Sequence, residues 1–195
     1  MARSVGIDRA QVVAVAAELA DAHGLEQLTL AAVAGRLGVR LPSLYNHVAG
    51  LAGLRRELAL LGLRQLHERM SRAAIGKAAD AAVIAVAQAY RGFVVEHPGV
   101  YATTVRAPAP GDVELQRASQ AIVEVVLAVL EPYGLNGEDA IHAVRGLRSI
   151  VHGFATLELA GGFGIPLDRD ESYMRLLRAY VAGLRAMAPQ ANSAG

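Results

Sequence analysis

The stretch Leu28-Thr29-Leu30-Ala31-Ala32-Val33-Ala34-Gly35-Arg36-Leu37-Gly38-Val39-Arg40-Leu41-Pro42-Ser43-Leu44-Tyr45-Asn46-His47-Val48 decides how this chain is read. Thr29 is a good N-cap, because its hydroxyl can accept from a backbone N–H of the first helical turn. Leu30, Val33, Ala34 and Leu37 follow at i, i+3, i+4 and i+7 and make one apolar face. Gly38 stands one residue past Leu37, where a left-handed residue ends a helix. Pro42 suits the opening of a second short helix, since it has no N–H to leave unpaired. Leu44 and Val48 share a face of it, Ser43, Asn46 and His47 point largely elsewhere, and Gly50 is expected to end it. Two short helices joined by Gly38-Val39-Arg40-Leu41 have helix-turn-helix proportions over residues 29–48.

Working outward, Asp8 and Gln11 form a capping-box pattern ahead of a helix carrying Val12, Ala16, Leu19 and Ala20, which Gly24 stops. After Gly50, Leu51, Leu54, Leu58 and Leu61 keep helical register. A longer helix over about Ala78–Glu96 carries the stripe Val83, Val86, Ala87, Tyr90 and Val94, and His97-Pro98-Gly99 breaks it. A short helix or turn is expected over Val100–Val105, then a Pro-rich loop from Ala107 to Gly111. Further helices follow over about Asp112–Glu131, from an Asn136 cap to about Ala160, and over about Asp170–Ala188. The expected fold is all-α: a three-helix helix-turn-helix domain over residues 1–50, a larger helical domain over 51–188, and a tail over 189–195.

Composition agrees. Hydrophobic residues make up 53% and charged residues 19%, enough for a sizeable core, and good helix formers recur throughout. The absence of cysteine excludes disulfides and thiolate metal sites and fits a reducing cytoplasm. No long uncharged apolar run marks a signal peptide or a membrane span. The net charge of +1 does not by itself advertise a nucleic-acid partner, although Arg55–Lys77 is locally basic.

The candidate chemistry lies in the second short helix. Such a helix enters the DNA major groove in a helix-turn-helix, and Ser43, Tyr45, Asn46 and His47 can all hydrogen-bond to phosphates or base edges. Asn46 can pair with adenine, Arg40 can reach guanine or phosphate, and Thr29 offers a helix N-terminus to a phosphate. A structural alternative stands beside this, in which Tyr45 fills the small core and His47 caps the helix end. Catalysis finds no support: the six histidines form no metal-binding spacing, and Gly161-Gly162-Phe163-Gly164 follows a helix rather than a strand. No metal or cofactor is implied.

The wording of residues 28–48, with Ala16–Glu26 before it, resembles the tetracycline-repressor (TetR) family across about Asp8–Leu58. The resemblance implies that Thr29, Ser43, Tyr45 and His47 contact DNA backbone or bases and that Asn46 is exposed in the recognition helix. There are departures. Many members carry a phosphate-contacting lysine early in the fourth helix, where this chain has Gly50-Leu51-Ala52-Gly53, and Leu41 replaces a commonly polar residue. Charge contacts would then rest on Arg40, Arg55 and Arg56. The segments His97-Pro98-Gly99-Val100-Tyr101 and Arg148–Phe154 resemble a subgroup whose regulatory domain is named for a Trp-His-Gly motif, with Val151 in the Trp position.

The family also implies a homodimer. Gly146, Ser149, Gly153, Thr156 and Ala160 form a small-residue seam that another helix can approach closely, within the chain or across a two-fold axis. The stripe Tyr173, Leu176, Leu177, Tyr180, Val181 and Leu184 either completes the core or pairs with a symmetry mate, and the family interface would use both helices. A cavity for an apolar or amphipathic effector is implied as well, with Tyr90, Phe93, Tyr101, His142, His152 and Phe154 as candidate liners against a core-packing alternative. The expected function is a repressor that a small molecule releases from a pseudo-palindromic double-stranded operator. The competing reading is a ligand-binding or interaction protein with a weakened DNA-binding head.

Overall fold

A computed structural model describes residues 7–187. Among them every regular element is helical: α1 (Arg9–His23), α2 (Leu30–Leu37), α3 (Leu41–Leu44), α4 (Gly50–Ala74), α5 (Ala79–Glu96), α6 (Pro98–Thr104), α7 (Val113–Leu130), α8 (Gly137–Leu159) and α9 (Arg169–Met187). Single 3₁₀ turns occupy Leu25–Gln27 and Glu131–Tyr133. Among the described residues no single helix is long and apolar enough to cross a membrane. The chain divides into two compact units, one running to Gln65 and resuming over Glu96–Ala118, the other made of Leu66–Val95 and the chain from Ser119.

The first unit is built on caps that local sequence supplies. The Gln11 N–H donates to Asp8 Oδ1 at 2.7 Å, and the Asp8 N–H donates back to Gln11 Oε1 at 2.9 Å. Thr29 Oγ1 accepts from the Ala32 N–H at 3.1 Å, and Gly38, at φ +68°, ends α2 in the left-handed conformation. Val12, Ala16, Ala20, Val33, Leu44, Leu54 and Leu58 make the core. The recognition element is shorter than the expected helix. α3 stops at Leu44, the chain turns through Tyr45–His47, and the N–H groups of His47 and Val48 both donate to the Leu44 carbonyl, at 2.9 and 3.0 Å. Gly50, expected to end that helix, instead opens α4 at φ +69°, which glycine adopts without a Cβ penalty.

α6 belongs to this unit and is gripped from two sides. A Cβ at Gly99 would lie 2.0 Å from the Ala20 carbonyl oxygen, so only glycine lets α6 approach α1 this closely. A Cβ at Gly62 of α4 would lie 2.8 Å from Val100 and 2.9 Å from Thr104. Asp21 completes the junction: one carboxylate oxygen accepts from the Val100 N–H at 2.8 Å, and the other lies 2.9 Å from His97 Nδ1. The motif His97-Pro98-Gly99-Val100-Tyr101 is therefore a docking surface for α1 and α4.

The second unit packs Leu66 and Met70 of α4 with Val83, Val86, Ala87, Tyr90, Phe93 and Val94 of α5, and with the buried stripes of α7, α8 and α9. The Tyr173 hydroxyl donates to the Ala87 carbonyl at 2.9 Å, and the Tyr180 hydroxyl to the Ala143 carbonyl at 2.6 Å, so a buried and a half-buried tyrosine satisfy their polar ends. Asn136 stands at the α8 N-cap position, but its side chain donates to the Gly134 carbonyl at 2.9 Å and does not cap the helix as expected.

Candidate nucleic-acid interface

Leu44 and Val48, both buried, anchor the recognition element to the three-helix core. This anchoring leaves the polar side chains of the element outside. Tyr45 is 59% exposed, Arg40 and Asn46 are exposed, and Ser43 and His47 are half-buried. Tyr45 therefore does not fill the core, which removes the structural alternative for that residue. Thr29 is exposed at the start of α2, with its hydroxyl already committed to capping. Leu41 and Pro42 are exposed at the front of α3.

Along the chain, charge here is one-sided. No acid occurs from Gln27 to Arg56, a stretch that carries Arg36, Arg40, Arg55 and Arg56. A surface of this kind, with a solvent-exposed tyrosine and asparagine, is suited to a polyanion. Its arginines are not equally available. Arg36 is exposed and only loosely paired, at 3.9 Å from Glu18. Arg55 donates to the Leu25 carbonyl at 3.3 Å, and its buried Nε has no partner. Arg56 grips Asp112 with two hydrogen bonds, of 2.6 and 2.7 Å, and also reaches Glu114 and Glu57. The hydrogen bond to Asp112, then that to Glu114, raises the Arg56 pKa further above its ordinary value, and the Arg56 bond holds the Asp112 carboxyl below the usual range. The expectation that Arg55 and Arg56 supply the charge of the missing lysine thus meets two arginines already engaged within the protein.

The six candidate effector contacts are shared between the two units and differ in burial. Tyr90, Phe93 and Phe154 are buried in the second unit, Tyr101 is buried in the first, His152 is half-buried and His142 is exposed on α8. A groove of about 350 Å³ in the second unit is lined by other residues, chief among them Arg91, Glu158, Asp170, Tyr173 and Met174. Arg91 donates to both oxygens of Glu158, at 2.7 and 2.8 Å, and to Asp170 at 2.7 Å. Its guanidinium lies 5.1 and 4.9 Å from the ring centres of Phe154 and Tyr173. These hydrogen bonds, led by Glu158, raise the Arg91 pKa against the opposing effect of burial. Sequence reasoning missed this cluster, although its signal was there: Arg91 is the one charged residue between Asp80 and Glu96, beside core positions.

The candidate interface residues divide. Tyr173, Leu177 and Leu184 are buried inside the protomer, so their contacts are made within the chain. Gly146 lies under the Tyr180 ring, where an added Cβ would stand 3.2 Å from Cε2. Ser149 is exposed, and Gly153 faces open space. The Thr156 hydroxyl bonds the carbonyl of His152 at 2.6 Å.

Residues 83–180 match the family model described as a tetracyclin repressor-like C-terminal domain. The chain is 37% identical over 185 residues to the uncharacterized HTH-type transcriptional regulator YobS of Bacillus subtilis, covering 94% of this chain and 96% of that one. A structure of a protein of unknown function from Rhodococcus sp. RHA1 superposes with a TM-score of 0.79 at 24% identity, covering 94% of this chain and 98% of that one. A TetR variant from Acinetobacter baumannii AYE, in complex with minocycline, superposes with a TM-score of 0.74 at 22% identity, covering 94% and 99%.

Proposed function

Because the chain belongs to the tetracycline-repressor (TetR) family of transcription regulators, we propose that it is a repressor that binds a pseudo-palindromic operator as a homodimer and leaves it when a small molecule binds. The observation that carries this reading is the exposed pair Tyr45 and Asn46, set by the buried Leu44 and Val48 within a stretch free of acids. In the proposed complex Tyr45, Asn46 and Ser43 meet the major groove, Arg40 and His47 flank them, and Thr29 meets a phosphate through its helix N-terminus. The DNA-binding domain is proposed to end near Gly50, with the remainder serving effector binding and dimerisation. His97–Tyr101 and Arg148–Phe154 support a place in the subgroup with a Trp-His-Gly-type regulatory domain. Such a regulator works on chromosomal DNA in the cytoplasm and has no catalytic step.

Two copies would present two recognition elements about 34–36 Å apart, one turn of DNA. The effector can shift DNA affinity only through its different affinity for two conformations. The minocycline complex of the Acinetobacter relative supports an organic effector, and the buried side chains around Tyr90, Phe93 and Phe154 favour an apolar or amphipathic one.

A gel-shift series tests the reading, using DNA that flanks the gene and random duplex of the same length. One flanking site should bind at least about a thousandfold more tightly than random DNA, with affinity falling as salt rises. Equal binding to all duplexes at every salt would refute it. The engagement of Arg55 and Arg56 favours a second reading, a ligand-binding protein whose head has weakened DNA affinity. Ligand binding without any operator preference would select that one.

A further inference from the structure

Arg56 lies six residues into α4, about 9 Å along the helix axis from Gly50. It closes the acid-free stretch that contains the recognition element, and four carboxylate oxygens surround its guanidinium. Nε donates to Asp112 Oδ2 at 2.6 Å, Nη2 to Asp112 Oδ1 at 2.7 Å and to Glu114 Oε2 at 3.1 Å, and Nη1 to Glu57 Oε1 at 3.3 Å. Around this centre Arg64 shares Glu114 at 2.8 Å and Arg9 pairs with Glu57. The network therefore holds three arginines and three carboxylates and carries no net charge.

A planar guanidinium gripping two oxygens of one anion is also the geometry in which arginine binds phosphate. The Arg56 side chain keeps 33% of its surface exposed, so it is not sealed in the core. Asp112 also accepts from the Leu115 N–H at 3.2 Å and thereby caps α7. One carboxylate thus fixes the start of α7 and the charge of α4 together.

We propose that Asp112 and Glu114 stand in for DNA phosphate and act as an autoinhibitory contact that withholds Arg56 from the operator backbone. A conformer in which the start of α7 leaves α4 frees a cation two turns beyond the recognition element, and DNA affinity rises. The inference rests on the DNA-binding reading.

The test compares the wild type with Asp112→Asn/Glu114→Gln, and with the same pair plus Arg56→Gln. Each protein is titrated with a fluorescein-labelled duplex selected by the wild type, and with random duplex, across a salt series. Asparagine also caps helices well, so α7 is expected to survive the first change. The double variant should bind the selected duplex about three- to tenfold more tightly, and its log–log salt slope should steepen by about one, as one added phosphate contact requires. Adding Arg56→Gln should abolish both gains. Unchanged affinity and slope would overturn the proposal, as would a gain that survives Arg56→Gln, since bulk charge would then explain it. If the double variant loses its helical signal, Glu114→Gln alone carries the test, because it leaves the Asp112 cap intact. It should give a smaller gain in the same direction, and no gain would overturn the proposal. A wild type that binds no duplex defeats the DNA-binding reading and this one together, whereas a wild type that binds beside unresponsive variants defeats this one alone.

Discussion

Tyr45 exposes a large aromatic side chain in a chain with few aromatics, and nothing in the core of the first unit needs it. Removing it should therefore separate function from folding. Tyr45→Ala is expected to weaken operator binding by about 1–3 kcal/mol, the range for a good base or backbone contact, and to leave the melting temperature within a degree or two. Fluorescence anisotropy and thermal melts on the same protein check both halves. A large fall in melting temperature would return Tyr45 to a structural role. Arg56 is the opposite case. Its residue type and position suited a phosphate contact, but Asp112 lies 56 residues away in the chain and meets it only once the first unit has folded.

At the scale of elements, α6 depends on two glycines and one carboxylate. Gly99→Ala would drive a methyl group into the Ala20 carbonyl, and backbone cannot give way as a flexible side chain does. A loss of roughly 3 kcal/mol or more is expected, at the upper end for overpacking, and chemical denaturation would measure it. The α8–α9 packing carries a pH signature. Burial pushes the Tyr180 hydroxyl up to about 12, from the ordinary tyrosine value of 10.0. A raised pKa means the folded state resists ionisation. The stability this tyrosine contributes is therefore fully present below about pH 10 and is lost as pH rises towards 12. Thermal melts from neutral to alkaline pH should show a fall above about pH 10 that Tyr180→Phe makes shallower; an equal fall in both proteins would assign it to Tyr133 and Tyr173, which burial also raises.

At the scale of the whole molecule, the proposed dimer must use surface that the protomer leaves uncovered. Tyr173, Leu177 and Leu184 are inside the chain, whereas Ser149 and Gly153 on α8 and Leu176 on α9 remain accessible. A Cβ added at Gly153 meets nothing within 4 Å, so Gly153→Arg is expected to fold, which its melting temperature checks. By placing a charge in a close helix–helix contact, it should convert a dimer to a monomer in sedimentation velocity and cost operator affinity, because two linked half-sites become one. A variant that still sediments as a dimer would move the interface elsewhere.

Much of this was legible in the chain alone, for a physical reason. Caps, turns and apolar periodicity are local: Asp8 with Gln11, Thr29 with Ala32, Gly38 at the end of α2, and the buried Leu44 and Val48 all act within a few residues of one another. The all-helical class, the helix-turn-helix and the exposure of Asn46 follow from such neighbours. What folding alone decided lies between residues far apart in the chain. The Arg56–Asp112 grip, the seating of α6 on Ala20 through Gly99, the Arg91 cluster and the inward turn of the Tyr173–Leu184 stripe all depend on which helix packs against which. Periodicity marks a face as apolar but does not name its partner, so the helix stripe offered to a second subunit was equally a stripe for the protomer's own core.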